Sequence, residues 1–187
     1  GKESQKGMGL IFEAGNKGRE DIPKRLVPLI IFSTWLSHLF GASVGREGVA
    51  VQIGATIGHT VGSKLSSKEA QKVLLITGMA AGFAGLFQTP IAATFFAIEI
   101  LMVGKIEYMA LFPALVGSYV ASATSHALGL EKFSFAVNTD LTIDPLVLLK
   151  LLIVAICFGL VGRIFAQGLA FMKTYMASKL SNPYRRI

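Results

Sequence analysis

An all-α integral membrane protein is the fold class this sequence predicts, and three observations carry the prediction. The 187 residues are 52% hydrophobic and only 16% charged, against about 25% charged in ordinary soluble domains. Mean hydropathy is +0.59. Several apolar runs reach the roughly 20 residues that a bilayer crossing requires, and no alternating strand pattern suggests a barrel. The runs are also broken: glycine-rich turns and a buried-looking Gln88-Thr89-Pro90 interrupt them. Short helices meeting at membrane depth are tolerated where they line a cavity or pack inside protein. The net charge of +7 is read as basic cytoplasmic loops. It is not read as a nucleic-acid surface, because no basic patch interleaves with exposed aromatics.

In chain order, Leu10 to Ala14 is expected to form a short helix after Gly7-Met8-Gly9, and residues 15–25 a charged surface loop with Lys17, Arg19, Glu20, Asp21, Lys24 and Arg25. Leu26 to Val44 is the first clear span, with Pro28 in its opening turns, where proline is tolerated. His38 has no second metal ligand at the next helical turn, so no metal site is expected. A helix is expected over Gly48 to Gly62. Its Gly54, Gly58 and Gly62 make a flat face on which another helix packs closely. His59 lies beside that face with no assigned role. Residues 63–72 form a basic loop whose Ser67 is placed to cap the next helix. Val73 to Val103 is apolar but divided, with Pro90 suited to the first turn of a helix Ile91 to Val103. Glu99 is expected to be buried in this second half, and a carboxylate facing a cavity or a helix end and a transport role are both open for it. Ile106 to Leu128 is a further span. Residues 129–144 are net acidic, and Pro145 to Phe171 is the last span before a basic tail. That balance puts Lys105 and the C-terminus inside and the acidic loop outside, but it assigns no side to the 63–72 loop. The single cysteine, Cys157, is expected as a small core residue. The chain opens on Gly1 and is read as a piece of a longer protein.

The stretch Gly45-Arg46-Glu47-Gly48-Val49-Ala50-Val51-Gln52-Ile53-Gly54 organises the rest. Arg46 and Glu47 are the only charged residues between Arg25 and Lys64. Ions in an apolar region are costly, so an ionisable pair there is a functional hypothesis. The flanking glycines leave backbone amides bare at a helix N-terminus. The N–H groups and the macrodipole both attract anions there. A carboxylate tethered beside such a site competes with the anion, or leaves when protonated. Gly7-Met8-Gly9 is a second glycine-rich helix start, and two converging N-termini bind an anion without a full buried positive charge.

These stretches resemble the CLC family of chloride channels and anion/proton antiporters. Gly45 to Gly54 is similar to the family's GREGP-x-x-QIG signature. Ala84-Gly85-Leu86-Phe87-Gln88-Thr89-Pro90-Ile91-Ala92-Ala93-Thr94-Phe95-Phe96-Ala97-Ile98-Glu99 is similar to A-x-F-N-A-P-L-A-G-x-x-F-x-I-E, and Gly7-Met8-Gly9 stands where the family carries GSGIP. The resemblance covers nearly the whole chain, 1–187, as the latter part of the first of two inverted repeats of broken, tilted helices. It implies that Glu47 is the gating and proton-carrying glutamate. It also implies that the anion is held near Gly7, Met8, Gly9, Gly45, Arg46, Gly48 and Val49. It implies a homodimer with one pore per subunit, whose contacts include the helices matching Ile91–Val103 and Ile106–Leu128. No cofactor is implied.

Three departures bear on selectivity. Met8 replaces a serine whose hydroxyl helps coordinate chloride, and a thioether has no proton to donate. Val49 replaces the proline after GREG. Ile100 stands where the family's internal proton-transfer glutamate would follow Glu99. A methionine at the first motif without that glutamate is similar to the fluoride-specific branch, which exchanges fluoride for protons and confers fluoride resistance on bacteria. The expectation is fluoride/proton antiport in a bacterial cell membrane, crossed several times by the chain and surrounded by lipid. A chloride channel or chloride/proton antiporter is the alternative. The second repeat's anion motif and coordinating tyrosine are absent from these residues, so this stretch holds about half of an anion pathway. A remote alternative is an intramembrane serine hydrolase, since Gly41-Ala42-Ser43-Val44-Gly45 matches G-x-S-x-G. That motif requires a strand before the serine, whereas an apolar helical run precedes it here. His126 is a candidate base, but no acid partner is evident.

Overall fold

The computed structural model describes residues 7–17, 22–101, 104–131 and 144–179. Every regular element among them is helical. The helices are α1 (Met8–Lys17), α2 (Leu26–Leu39), α3 (Glu47–Gly62), α4 (Lys68–Phe87), α5 (Pro90–Ile100), α6 (Leu111–Ala127) and α7 (Pro145–Lys179), with a 3₁₀ turn at Tyr108–Ala110 before α6. The chain divides into two compact units, one holding α1 to α6 and the other holding α7.

The glycine face expected on α3 is the seam of the first unit. A Cβ added at Gly54 or Gly58 would run into the backbone carbonyls of Gly78 and Leu74 on α4. One added at Gly78 or Gly82 would run into those of Gly54 and Ala50. Both helices have given up side chains along the same line, so their backbones touch and dispersion contacts replace side-chain packing. Around this seam Leu10, Ile11, Val51, Ala55, Leu75, Ile76, Met79, Ala80, Ala97 and Ile98 form one buried core drawn from α1, α3, α4 and α5.

The ends of α4 follow from local chemistry. Ser67 caps its start, accepting from Ala70 N at 3.4 Å. Its C-cap is Gln88 at φ 52°, a left-handed conformation in which glycine is usual. The Gln88 side-chain amide donates to the carbonyl of Leu130, which ties down the strained residue. Pro90 then opens α5, as expected from its fixed φ and missing N–H. α4 is joined to α5 by aromatic contact, with Phe83 centroids 4.6 Å from Phe87 and 4.7 Å from Phe96. It is joined to α6 by the Ser125 hydroxyl, which donates to Gly85 O at 2.7 Å. In the α5–α6 seam the buried Thr94 and Ser118 hydroxyls lie 3.2 Å apart.

Several boundaries differ from expectation. α1 is longer than Leu10–Ala14 and takes in Gly15, Asn16 and Lys17, because the apolar face of Leu10, Ile11 and Ala14 carries the helix into the charged stretch. The rest of that stretch at 18–21 lies outside the described residues, as do most of the acidic loop (132–143), residues 102–103 and the tail beyond Lys179. α2 stops at Leu39, and Gly41 at φ +77° turns the chain. Glu99 is exposed in the last turns of α5. There it lines a cavity of about 470 Å³ with Phe96, Ile100 and Lys105.

Contacts group residues 63–72, which the charge pattern left unplaced, with other segments of the unit. Lys72 pairs with Glu107, and Asn16 Nδ2 donates to Leu101 O at 2.7 Å. The end of α1, the α3–α4 loop and the segment after α5 therefore share one end of the unit. That end carries Lys64, Lys68, Lys72 and Lys105. Gln88 and Leu130 mark the other end.

In the second unit, Asp144 Oδ1 accepts from Val147 N at 2.7 Å and Pro145 follows at the first helical position, a two-part helix start. The apolar stretch Pro145–Met176 is 32 residues long, more than the roughly 20 that span a bilayer. Cys157 is exposed rather than in a core, because the described residues of its unit form a single helix with no second element to bury it against.

Candidate functional site

Two helix N-termini meet in the first unit. Gly7 at φ +53° turns the chain into α1, and Leu10 N donates to Gly7 O at 3.2 Å. The N–H groups of Met8 and Gly9 are left without an intrahelical acceptor. On α3, Ala50 N donates to Arg46 O at 3.0 Å, leaving the N–H groups of Glu47, Gly48 and Val49 in the same position. The two starts are adjacent. A Cβ on Gly48 would lie 3.9 Å from Met8 Cγ, and one on Gly7 would lie 3.8 Å from Gln52 Nε2. Both macrodipoles thus present their positive ends to one region, and the small residues let a ligand approach bare amides.

Glu47 is the first residue of α3 and is exposed. Its carboxylate turns back over the turn that precedes it, since a Cβ on Gly45 would sit 2.9 Å from Glu47 Oε2. A negative group at a helix start is where the dipole favours it. Here it occupies space beside the same amides that an anion would use. Glycine at 45 leaves that space open.

Arg46 faces a different volume. With Val49 it lines a groove of about 420 Å³ whose other walls include Trp35 and His38 of α2. The His38 Nδ1 lies 2.7 Å from Thr34 O. That bond requires a proton on Nδ1. Among the expected anion-site residues, Met8, Gly48 and Gly7 are brought together with Glu47 and Gly45. Arg46 and Val49 line the flank, and Gly9 is exposed, with nothing within 4 Å of an added Cβ. Gln52, beside Gly7, escaped the sequence reading. Its spacing from Gly48, one helical turn, was the available signal.

Ser43 lies in the irregular segment between α2 and α3, after a helix and the turn at Phe40 and Gly41. The strand-turn-helix that a nucleophile elbow requires is not there. His126 is exposed at the far end of α6. Among the described residues no cluster of three His, Cys, Asp or Glu side chains is placed to hold a metal.

The family model described as "voltage gated chloride channel" matches residues 1–187. The chain belongs to that family. A crystal structure of a CLC-type fluoride/proton antiporter superposes with a TM-score of 0.90 at 49% identity, over 99% of this chain and 47% of the other. The "chloride/fluoride channel protein" of Pseudomonas syringae pv. tomato is 33% identical over 189 residues, covering 98% of this chain and 42% of its own length. The voltage-gated ClC-type chloride channel ClcB of Salmonella typhi is 29% identical over 174 residues, 90% of this chain and 40% of its own. The chain thus spans about two-fifths of the curated relatives it matches. The CLC fold expected from the sequence, all-helical with broken helices, is the fold observed.

Proposed function

We propose that this chain supplies half of the anion pathway of a membrane transporter that exchanges fluoride for protons. One observation carries the reading: Glu47 begins α3 with its carboxylate over Gly45, while the start of α1 abuts the same turn through Met8 and Gly48. The bare amides and both dipoles attract a small anion. The carboxylate holds the place until protonation or an anion displaces it, which couples the two movements. Met8 in the place of the chloride-coordinating serine, with the 49% identity to a fluoride/proton antiporter, supports fluoride over chloride. Chloride transport is the second reading, favoured by the relatives whose names specify chloride. Transport, rather than a reaction on a covalent bond, is the activity.

The chain is the latter part of the first of two repeats in a longer, multi-pass protein of the bacterial cell membrane. The end carrying Lys64, Lys68, Lys72 and Lys105 is cytoplasmic. A homodimer is supported by the apolar residues exposed on α5 and α6, among them Ile91, Phe95, Phe112, Val116 and Val120. Such residues suit a contact buried within the bilayer.

The test is anion efflux from liposomes holding the full-length protein, loaded with fluoride or chloride. Fluoride efflux well above chloride efflux is expected, accompanied by proton movement in the opposite direction. Equal or chloride-dominated efflux would transfer the assignment to the chloride reading.

A further inference from the structure

His59 is the only titratable side chain among the buried polar residues described, at 7% exposure. Its ring makes no hydrogen bond to any described residue. A buried polar group without a partner carries a desolvation cost that a ligand can relieve. The imidazole lines a cavity of about 560 Å³ at the basic end of the first unit, together with Asn16, Ser66, Lys68, Glu69 and Lys72. The cavity also abuts the start of α4. There Ala70 N is taken by the Ser67 hydroxyl and Gln71 N by Ser67 O at 3.0 Å, while the N–H groups of Lys68 and Glu69 have no intrahelical acceptor.

We propose that this cavity binds a phosphate group, as a site separate from the anion pathway. Three independent features converge on it: a free helix start, an uncommitted ammonium on Lys68, and the unpartnered imidazole. Lys72 is committed to Glu107 and holds the wall in place. The volume is far larger than a single halide needs. A tetrahedral oxyanion has enough acceptor oxygens to reach donors on separate elements, and helix starts take phosphate readily. Glu69 opposes the anion and is the one carboxylate lining the cavity among the described residues. The phosphate belongs either to a free phosphate or to an anionic lipid headgroup reaching the cytoplasmic end of the bundle.

The experiment is thermal denaturation of the full-length protein. One arm titrates inorganic phosphate in detergent against sodium chloride of matched ionic strength. The other compares phosphatidylcholine bilayers with and without phosphatidylglycerol. A saturable rise in Tm with phosphate identifies a free-phosphate site. A rise only with phosphatidylglycerol identifies a headgroup site. In the arm that responds, Lys68→Gln is expected to raise the apparent Kd about tenfold, the loss of one charge-assisted bond. His59→Leu is expected to weaken binding similarly, and Glu69→Gln to tighten it. Lys68 and Glu69 are exposed, so these two variants carry the test even if the His59 variant does not fold. No response in either arm, or a response unchanged by both Lys68→Gln and Glu69→Gln, would overturn the site. Anion efflux is read separately, so failure here leaves the transport reading intact, and the converse holds.

Discussion

At the scale of single residues, the proposed exchange of fluoride for protons rests on Glu47 and Met8. The Glu47 side chain is exposed, so removing its charge leaves stability within about 0.5 kcal/mol. Glu47→Gln is expected to abolish proton movement in reconstituted full-length protein while anion flux persists, because an amide does not titrate. A pH-sensitive dye inside the liposomes reads this directly, and undiminished proton uptake would remove Glu47 from the coupling. Met8→Ser restores a hydroxyl donor beside Gly48. It is expected to raise chloride efflux relative to fluoride severalfold, measured by paired ion-selective electrodes. Both residues were legible in the sequence, because their types and glycine neighbours are unusual inside an apolar run. The reach of the carboxylate back over Gly45 was not legible, since it depends on a turn whose geometry no spacing specifies.

At the scale of elements, the α3–α4 seam sets the position of the α3 start. Gly54 and Gly58 face backbone, which cannot yield as a side chain can. Gly54→Ala is therefore expected to destabilise the full-length protein by about 1–3 kcal/mol, the usual cost of overpacking. Gly9→Ala, with nothing within 4 Å of the new methyl, is expected to be neutral or stabilising by about 0.5 kcal/mol through chain entropy. Opposite signs for the same substitution in a thermal melt separate packing from helix propensity. The glycine period announced the flat face of α3 from the sequence alone. Its partner, the Gly78 and Gly82 face of α4, was visible only as a thinning of an apolar run. Pairing the two faces is a tertiary fact. The break at Gln88-Thr89-Pro90 was equally plain, since proline cannot continue a helix but can begin one.

At the scale of the molecule, the proposed topology puts the basic end of the first unit on the cytoplasmic side. With other cysteines removed, including Cys157, a cysteine placed at Lys64 is expected to react with a membrane-impermeant maleimide only from the cytoplasmic side. One placed at Leu130 is expected to react only from outside. Labelling of both from one side would invert or break the proposed topology.

The sequence by itself determined that the chain is helical, apolar and interrupted, and that Glu47 stands at a helix start between glycines. These properties depend on residue type and short spacings, which local backbone chemistry translates without reference to distant parts. Only the tertiary structure decided that the start of α1 abuts that of α3, that residues 63–72 share one end with Lys105, and that His59 is buried without a partner among the described residues. Each of these rests on contacts between segments tens of residues apart. Such contacts are set by the packing of whole helices against one another, which a periodicity read along one helix cannot specify.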